Sequence, residues 1–86
     1  MKTFILTISS PDGDIFRGEV TKVSARGIDG DFAIMSGHIP FVTTIKPGKC
    51  KVEFENGEEK TGICDGGILN AKKDGVTILS GSFKWE

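Results

Sequence analysis

One histidine and two cysteines among 86 residues leave little side-chain chemistry to assemble. A metal centre draws on three or four ligands, and an activated nucleophile needs a base with its own orienting partner. His38 alone supplies neither. Cys50 and Cys64 are too few for a disulfide framework or a zinc site. Each lies in an apolar alternating stretch and reads as a small buried hydrophobe. Lys49 and Lys51 flank Cys50, but alternation turns them to the opposite face, so the electropositive setting of a reactive thiol is missing.

An excess of either charge is missing too. Eleven basic and twelve acidic residues give a net charge of −1, whereas a phosphate backbone calls for a basic patch. Lys46, Lys49 and Lys51 come nearest to one, and Glu53 and Glu55 follow at once. No apolar run approaches the ~20 residues that span a bilayer. No apolar signal segment follows Met1-Lys2-Thr3, so the chain is expected to stay in the compartment that makes it. Its length suits one domain, residues 1–86.

Helical periodicity is the last absence: no i, i+3, i+4, i+7 stripe extends over ten residues. Short alternating segments stand between Gly-, Pro- and Asn-rich turns instead, which is the pattern of an all-β protein. Phe4, Leu6 and Ile8 form the buried phase of a first strand. Pro11-Asp12-Gly13-Asp14 is a turn. Ile15 to Ser24 reads as one long strand, with a bulge or a close approach at Gly18. Ala25 to Asp31 reads as a loop, and Phe32–Met35 and Phe41–Ile45 as strands. Lys46-Pro47-Gly48-Lys49 fits a type II turn. Asn56-Gly57 predicts a two-residue type I′ hairpin that sets Glu53 opposite Lys60 and Val52 opposite Thr61. A sharp bend at Gly66-Gly67 precedes Ile68–Ala71, a Lys72-Lys73-Asp74-Gly75 turn and Val76–Ser80. Gly81 to Glu86 shows no clear structure. The whole reads as a sandwich or barrel of short strands.

The remaining motifs carry no catalysis. Asp29-Gly30-Asp31 lacks the five or more oxygen ligands and flanking helices of a calcium loop. Gly66-Gly67 matches neither phosphate-cradling loop, because no helix follows it. A coupling or docking module and a free-standing small-ligand or carbohydrate-binding β-module both remain open on this evidence.

One block narrows the choice. Gly30 to Gly48, G-D-F-A-I-M-S-G-H-I-P-F-V-T-T-I-K-P-G, closely resembles the epsilon subunit of F-type ATP synthases. So do Pro11-Asp12-Gly13 with Phe16-Arg17-Gly18-Glu19-Val20, the Gly66-Gly67-Ile68-Leu69 step and the strand Val76-Thr77-Ile78-Leu79, in the same order and with compatible spacing. The resemblance covers residues 3–80.

It implies a ten-stranded β-sandwich of two antiparallel sheets. It also implies a central-stalk rotor subunit without catalysis or cofactor of its own, bound to the gamma subunit and to the c-ring loops. Such a subunit couples ion-driven rotation to ATP synthesis in the catalytic alpha/beta hexamer. By position, Asp29, Gly30, Asp31 and His38 are expected to face the c-ring, and Ser10, His38 and Thr43 the gamma subunit. The expected location is peripheral, on the cytoplasmic face of a bacterial plasma membrane. Most relatives continue into a helical hairpin where this chain stops at Glu86. Inhibition of hydrolysis and ATP sensing, which belong to that hairpin, are therefore not carried over, and the stop is read as native.

Overall fold

The computed structural model describes residues 2–38 and 40–86, so Met1 and the Ile39 of the Gly-His-Ile-Pro corner lie outside the described residues. Ten strands follow in order: β1 (Phe4–Ser10), β2 (Gly13–Val20), β3 (Lys22–Gly27), β4 (Gly30–Met35), β5 (Phe41–Ile45), β6 (Gly48–Glu53), β7 (Glu59–Cys64), β8 (Gly67–Lys72), β9 (Gly75–Ser80) and β10 (Phe83–Trp85). The described residues contain no helix.

The strands pair along one path, β10-β7-β6-β3-β5-β8-β9-β1-β2, with β4 on the other edge of β3. The expectation of purely antiparallel pairing fails at β1 and β9, which run parallel from Ile5↔Gly75 to Ser9↔Leu79. The path is thin at one joint, where β3 meets β5 through the single bridge Gly27↔Ile45. Gly27 fits there because any Cβ would lie 2.8 Å from Gly30 O and 2.9 Å from the Phe32 ring. The free ends of the path, β2 and β10, come together through side chains. The Phe16 and Trp85 rings meet edge to face at 5.8 Å, and Phe54 joins Phe16 at 5.9 Å. The result is a nearly closed, barrel-like wall.

Alternation fills its interior. Leu6 and Ile8 from β1, Val23 from β3, Val52 from β6, Leu69 from β8 and Ile78 from β9 are buried in one cluster. Each such side chain contributes about 1.5–3 kcal/mol by leaving water.

Several local expectations shift. The long strand over Ile15–Ser24 breaks at Thr21, whose N–H and hydroxyl both donate to Glu53 O. The register slips between Ile8 and Ser9, opposite Phe16 and Asp14, so the bulge falls at Ile15. Gly18 is instead covered by the Phe16 ring, 3.1 Å from where a Cβ would stand. The loop over Ala25–Asp31 is mostly strand, and only Ile28 and Asp29 turn. At Pro47-Gly48 the glycine takes φ 154°, far from the ~80° a type II turn requires; the link carries the chain from β5 to β6, which do not pair.

The β6–β7 hairpin is one residue longer than a type I′ turn allows. Glu53 faces Glu59 and Val52 faces Lys60, so the expected Glu53–Lys60 pair does not form. Asn56 keeps a negative φ, and Gly57 alone takes φ 91°. Gly57 N–H donates to Phe54 O, Phe54 N–H to Glu58 O, and Glu58 N–H to Asn56 Oδ1. A type I turn closed by a left-handed glycine accounts for this pattern. Glu53 then pairs with Lys22 at 3.6 Å and Lys51 with Glu59 at 3.2 Å.

The tail is ordered. Phe83, Lys84 and Trp85 pair with Cys64, Ile63 and Gly62, and Glu86 N–H donates to Thr61 O. Phe83 fills the space left by the missing side chain of Gly62.

Candidate functional site

The residues expected to make contacts do not gather in one place. Asp29, Gly30 and Asp31 form the tip of the β3–β4 hairpin, where Arg26 Nε approaches Asp31 Oδ1 at 3.7 Å. Ser10 ends β1 at the same end of the barrel, because β1 runs parallel to β9 and antiparallel to β2. Its hydroxyl donates to Gly13 O and accepts from Asp12 N–H, both at 3.3 Å, which fixes the β1–β2 turn. His38 lies at the opposite end. Phe32–Met35 of β4 and the Ser36-Gly37 turn separate it from the Asp29–Asp31 tip, the strand part alone being about 13 Å of extended chain.

His38 is held by the fold. Its Nε2 lies 2.7 Å from Lys72 O and its Nδ1 3.1 Å from Met35 O, while its ring meets Phe4 edge to face at 5.6 Å. Carbonyls only accept, so a neutral ring with one N–H satisfies one of them at a time, and a doubly protonated ring satisfies both. Either way His38 ties the corner after β4 to the β8–β9 turn. Thr43 sits in the inward phase of β5, opposite the buried Leu69 and half-buried itself. Its neighbours Val42 and Thr44 are the ones exposed.

The two outer faces of the barrel differ sharply. Outside β3, β6, β7 and β10 stand Lys22, Arg26, Lys49, Lys51, Glu53, Glu59, Lys84 and Glu86. The ion pairs Lys22–Glu53, Arg26–Asp31, Lys49–Glu86 and Lys51–Glu59 all join β3, β4, β6, β7 and the residue after β10. Across β5, β8, β9 and β1 the outward phase carries almost no charge. One row runs Thr44, Ile68, Leu79 and Ser9; the next runs Val42, Asn70, Thr77 and Thr7. Val42 is 66% exposed, Leu79 52% and Ile68 48%. Charge returns only at the margins, with Lys72 on β8 and Asp14, Arg17 and Glu19 on β2. A centre depleted of charge inside a charged rim matches the anatomy of a protein–protein interface.

Val42, Ile68 and Leu79 lie within the motif blocks but were not among the residues expected to make contacts. The signal was nonetheless in the sequence: Phe41–Ile45, Ile68–Ala71 and Val76–Ser80 contain no charged residue in either phase, unlike Lys49-Cys50-Lys51-Val52-Glu53.

No cluster of three metal-ligating side chains exists among the described residues. Cys50 and Cys64 are free and buried on the inner phase of β6 and β7. Burial, and secondarily the neighbouring Cys64, push the Cys50 thiol up to about 12 from 9.0, the condition of an inert rather than a nucleophilic cysteine.

Residues 3–86 match the model of the ATP synthase delta/epsilon chain β-sandwich domain. The chain belongs to that family. Among solved structures it superimposes on a chain of the Euglena gracilis mitochondrial ATP synthase, from an assembly of OSCP, F1 and c-ring in rotational state 1. The TM-score is 0.91 at 25% identity, covering 96% of this chain and 53% of that one. A chain of the Tetrahymena thermophila mitochondrial ATP synthase central stalk and c-ring matches at TM-score 0.79 and 13% identity, covering 95% of this chain and 66% of that one; at that identity the likeness concerns the fold alone. The delta/epsilon domain thus spans about half the length of the Euglena chain.

Proposed function

We propose that this delta/epsilon domain is a central-stalk subunit of an ATP synthase that docks on the gamma subunit through the uncharged face of β5, β8, β9 and β1. The observation that carries this is the segregation of charge: the ion pairs lie on one side of the barrel, and the other side offers Val42, Ile68 and Leu79 to solvent. A patch of that kind marks a surface that is covered in use. Ser10 borders the face and Val42 and Thr44 belong to it, so contact through this strand falls to Val42 and Thr44 more than to the inward Thr43.

On this reading the Asp29-Gly30-Asp31 tip faces the c-ring loops. A stiff hairpin end carrying two acids suits recognition of polar loops, with charge acting on specificity more than on affinity. His38, at the other end, goes to the gamma side of the contact and not to the ring. The subunit transmits rotation and performs no chemistry, residues 1–86 acting as one domain. The halves on either side of the Gly27↔Ile45 bridge form the two layers of the family's sandwich. Its place is peripheral to the membrane that holds the ring, and we assign it to the cytoplasmic face of a bacterial plasma membrane.

Calorimetry with the gamma subunit from the same source tests the reading. Micromolar or tighter binding is expected. Ile68→Glu, which would bury a charge against the partner, should weaken it by at least about 2 kcal/mol, while Lys51→Glu on the opposite face should change it little. No binding by the wild-type chain, or equal loss in both variants, refutes the proposal.

A further inference from the structure

We propose that the cleft at the end of the uncharged face, between Ser9-Ser10-Pro11 and Leu79-Ser80-Gly81, receives one large apolar side chain of the stalk partner and anchors that interface. The inference rests on the docking reading above and adds where its affinity is concentrated. The cleft encloses about 350 Å³ and is lined by those six residues alone. Its place is set by the parallel pairing of β1 with β9, which sets Ser9 beside Leu79.

Three serines line it, yet none has a hydroxyl proton to spare. Ser9 Oγ donates to Asp14 Oδ1 at 2.6 Å. Ser10 Oγ is engaged by Gly13 O and Asp12 N–H. Ser80 Oγ lies 2.7 Å from Gly66 O and 2.9 Å from both Asp65 Oδ1 and Ser82 O, so its one proton is always claimed from within. What remains toward the opening is the Pro11 ring, the Leu79 side chain and the bare backbone of Gly81. The three hydroxyls keep lone pairs but offer no free proton, so an anionic or acceptor-only occupant would lose its water without compensation, and the contact surface that remains is mainly apolar.

The walls are also rigid. Asp65 Oδ1 accepts Ser82 N–H at 3.0 Å and Asp65 N–H donates to Ser82 O at 3.1 Å, which pins the β9–β10 turn. Preorganised walls spare the ordering cost of binding, and hot spots form where an anchor meets a ready pocket. The cleft is too open to bury a small molecule on its own. It is continuous with Ile68, which faces Leu79 across β8 and β9, so a partner lying on the face closes it.

The experiment measures the dissociation constant for the gamma subunit by calorimetry, with folding of each variant checked by circular dichroism and melting. Leu79→Ala removes a wall, Ser9→Phe fills the cleft, and Ile63→Ala truncates a comparably exposed side chain on the charged face (49% against 52%). Leu79→Ala and Ser9→Phe should each weaken binding by about thirtyfold, the loss of a hot spot, with Ile63→Ala within twofold of wild type. If wild type binds and the two cleft variants bind within about threefold of it, or if Ile63→Ala loses as much as they do, the anchor is refuted and the docking reading stands. If wild type does not bind, both fall.

Discussion

Replacing Gly62 by alanine is a change of one methyl group on a buried strand, and the structure makes it one of the most damaging small substitutions available. A Cβ at Gly62 would stand 2.6 Å from Cε1 of Phe83, closer still to Cζ and 3.1 Å from Cε2. Carbon atoms in van der Waals contact lie about 3.5–4.0 Å apart. The ring therefore has to move by more than an ångström, and it has no slack. Phe83 is 6% exposed and packs edge to face on Trp85 at 5.0 Å. Overpacking a core typically costs about 1–3 kcal/mol, and full expulsion of a phenylalanine about 3–5. We expect about 2–4 kcal/mol. Domains hold about 0.05–0.15 kcal/mol per residue, so the loss is a large share of this fold's stability. In a domain of this size each kcal/mol moves the midpoint by about 4–8 °C, which predicts a fall of roughly 8–32 °C. Trp85 is the only tryptophan and touches the displaced ring, so its fluorescence during urea titration reports the event directly. Adding Phe83→Leu should return part of the loss, a coupling a double-mutant cycle detects. A Gly62→Ala protein within 0.5 kcal/mol of wild type, or strict additivity with Phe83→Leu, refutes the packing argument.

Three further outcomes follow from single sites. Gly57→Ala meets no atom within 4 Å but holds φ 91°, so its cost is backbone alone, about 1–2 kcal/mol by urea midpoint; a neutral variant would mean the turn is not closed by a left-handed residue. His38→Leu keeps the contact with Phe4 but abandons the Lys72 and Met35 carbonyls, and roughly 1–2 kcal/mol should go with them; no change in melting would show that the corner holds itself. Cys50 should resist iodoacetamide in the native state and react in urea. Folding raises its thiol from 9.0 to about 12, so the folded state favours the protonated form. The stabilisation is full below pH 9 and is lost as pH rises toward 12, with a slope of up to about 1.4 kcal/mol per pH unit. Cys50→Ala should flatten that slope, and an unchanged slope in the variant contradicts the assignment.

Strand phase was legible in the sequence because alternation is a local signal. Leu6, Ile8, Val52, Leu69 and Ile78 are buried as their phase requires. Register was not. At Asn56-Gly57 a bond from Glu58 N–H to Asn56 Oδ1 and the conformation of one glycine add a residue to the turn, and that single residue exchanges the partners of Glu53 and Lys60. β10 escaped because its partner is remote: Phe83-Lys84-Trp85 pairs with β7, where Gly62 leaves room for the Phe83 ring. The parallel β1–β9 pair is likewise a property of the closed topology and has no sequence mark. The family's motif blocks were fully readable and led to the right family, yet motif positions alone grouped His38 with Asp29 and Asp31. The strand expected over Phe32–Met35 already separates them.

The contrast between the two faces is a matter of solubility as much as of docking. Exposed ion pairs are worth about 0–1 kcal/mol each, so Lys22–Glu53, Arg26–Asp31, Lys49–Glu86 and Lys51–Glu59 do little to hold the barrel closed. Their stronger effect is to keep water on one side of it and to deter pairing with other sheets. The other side has no such guard. Val42, Ile68 and Leu79 are more than 45% exposed, and a net charge of −1 gives copies of the chain little reason to repel one another. A face that must be buried in use is a liability when it is not. The same substitution should therefore push two properties in opposite directions. Leu79→Lys should raise the solubility of the free chain and weaken its hold on the stalk partner. If Leu79→Lys improved both, or altered neither, the uncharged face would be neither the interface nor the weak point of the isolated protein.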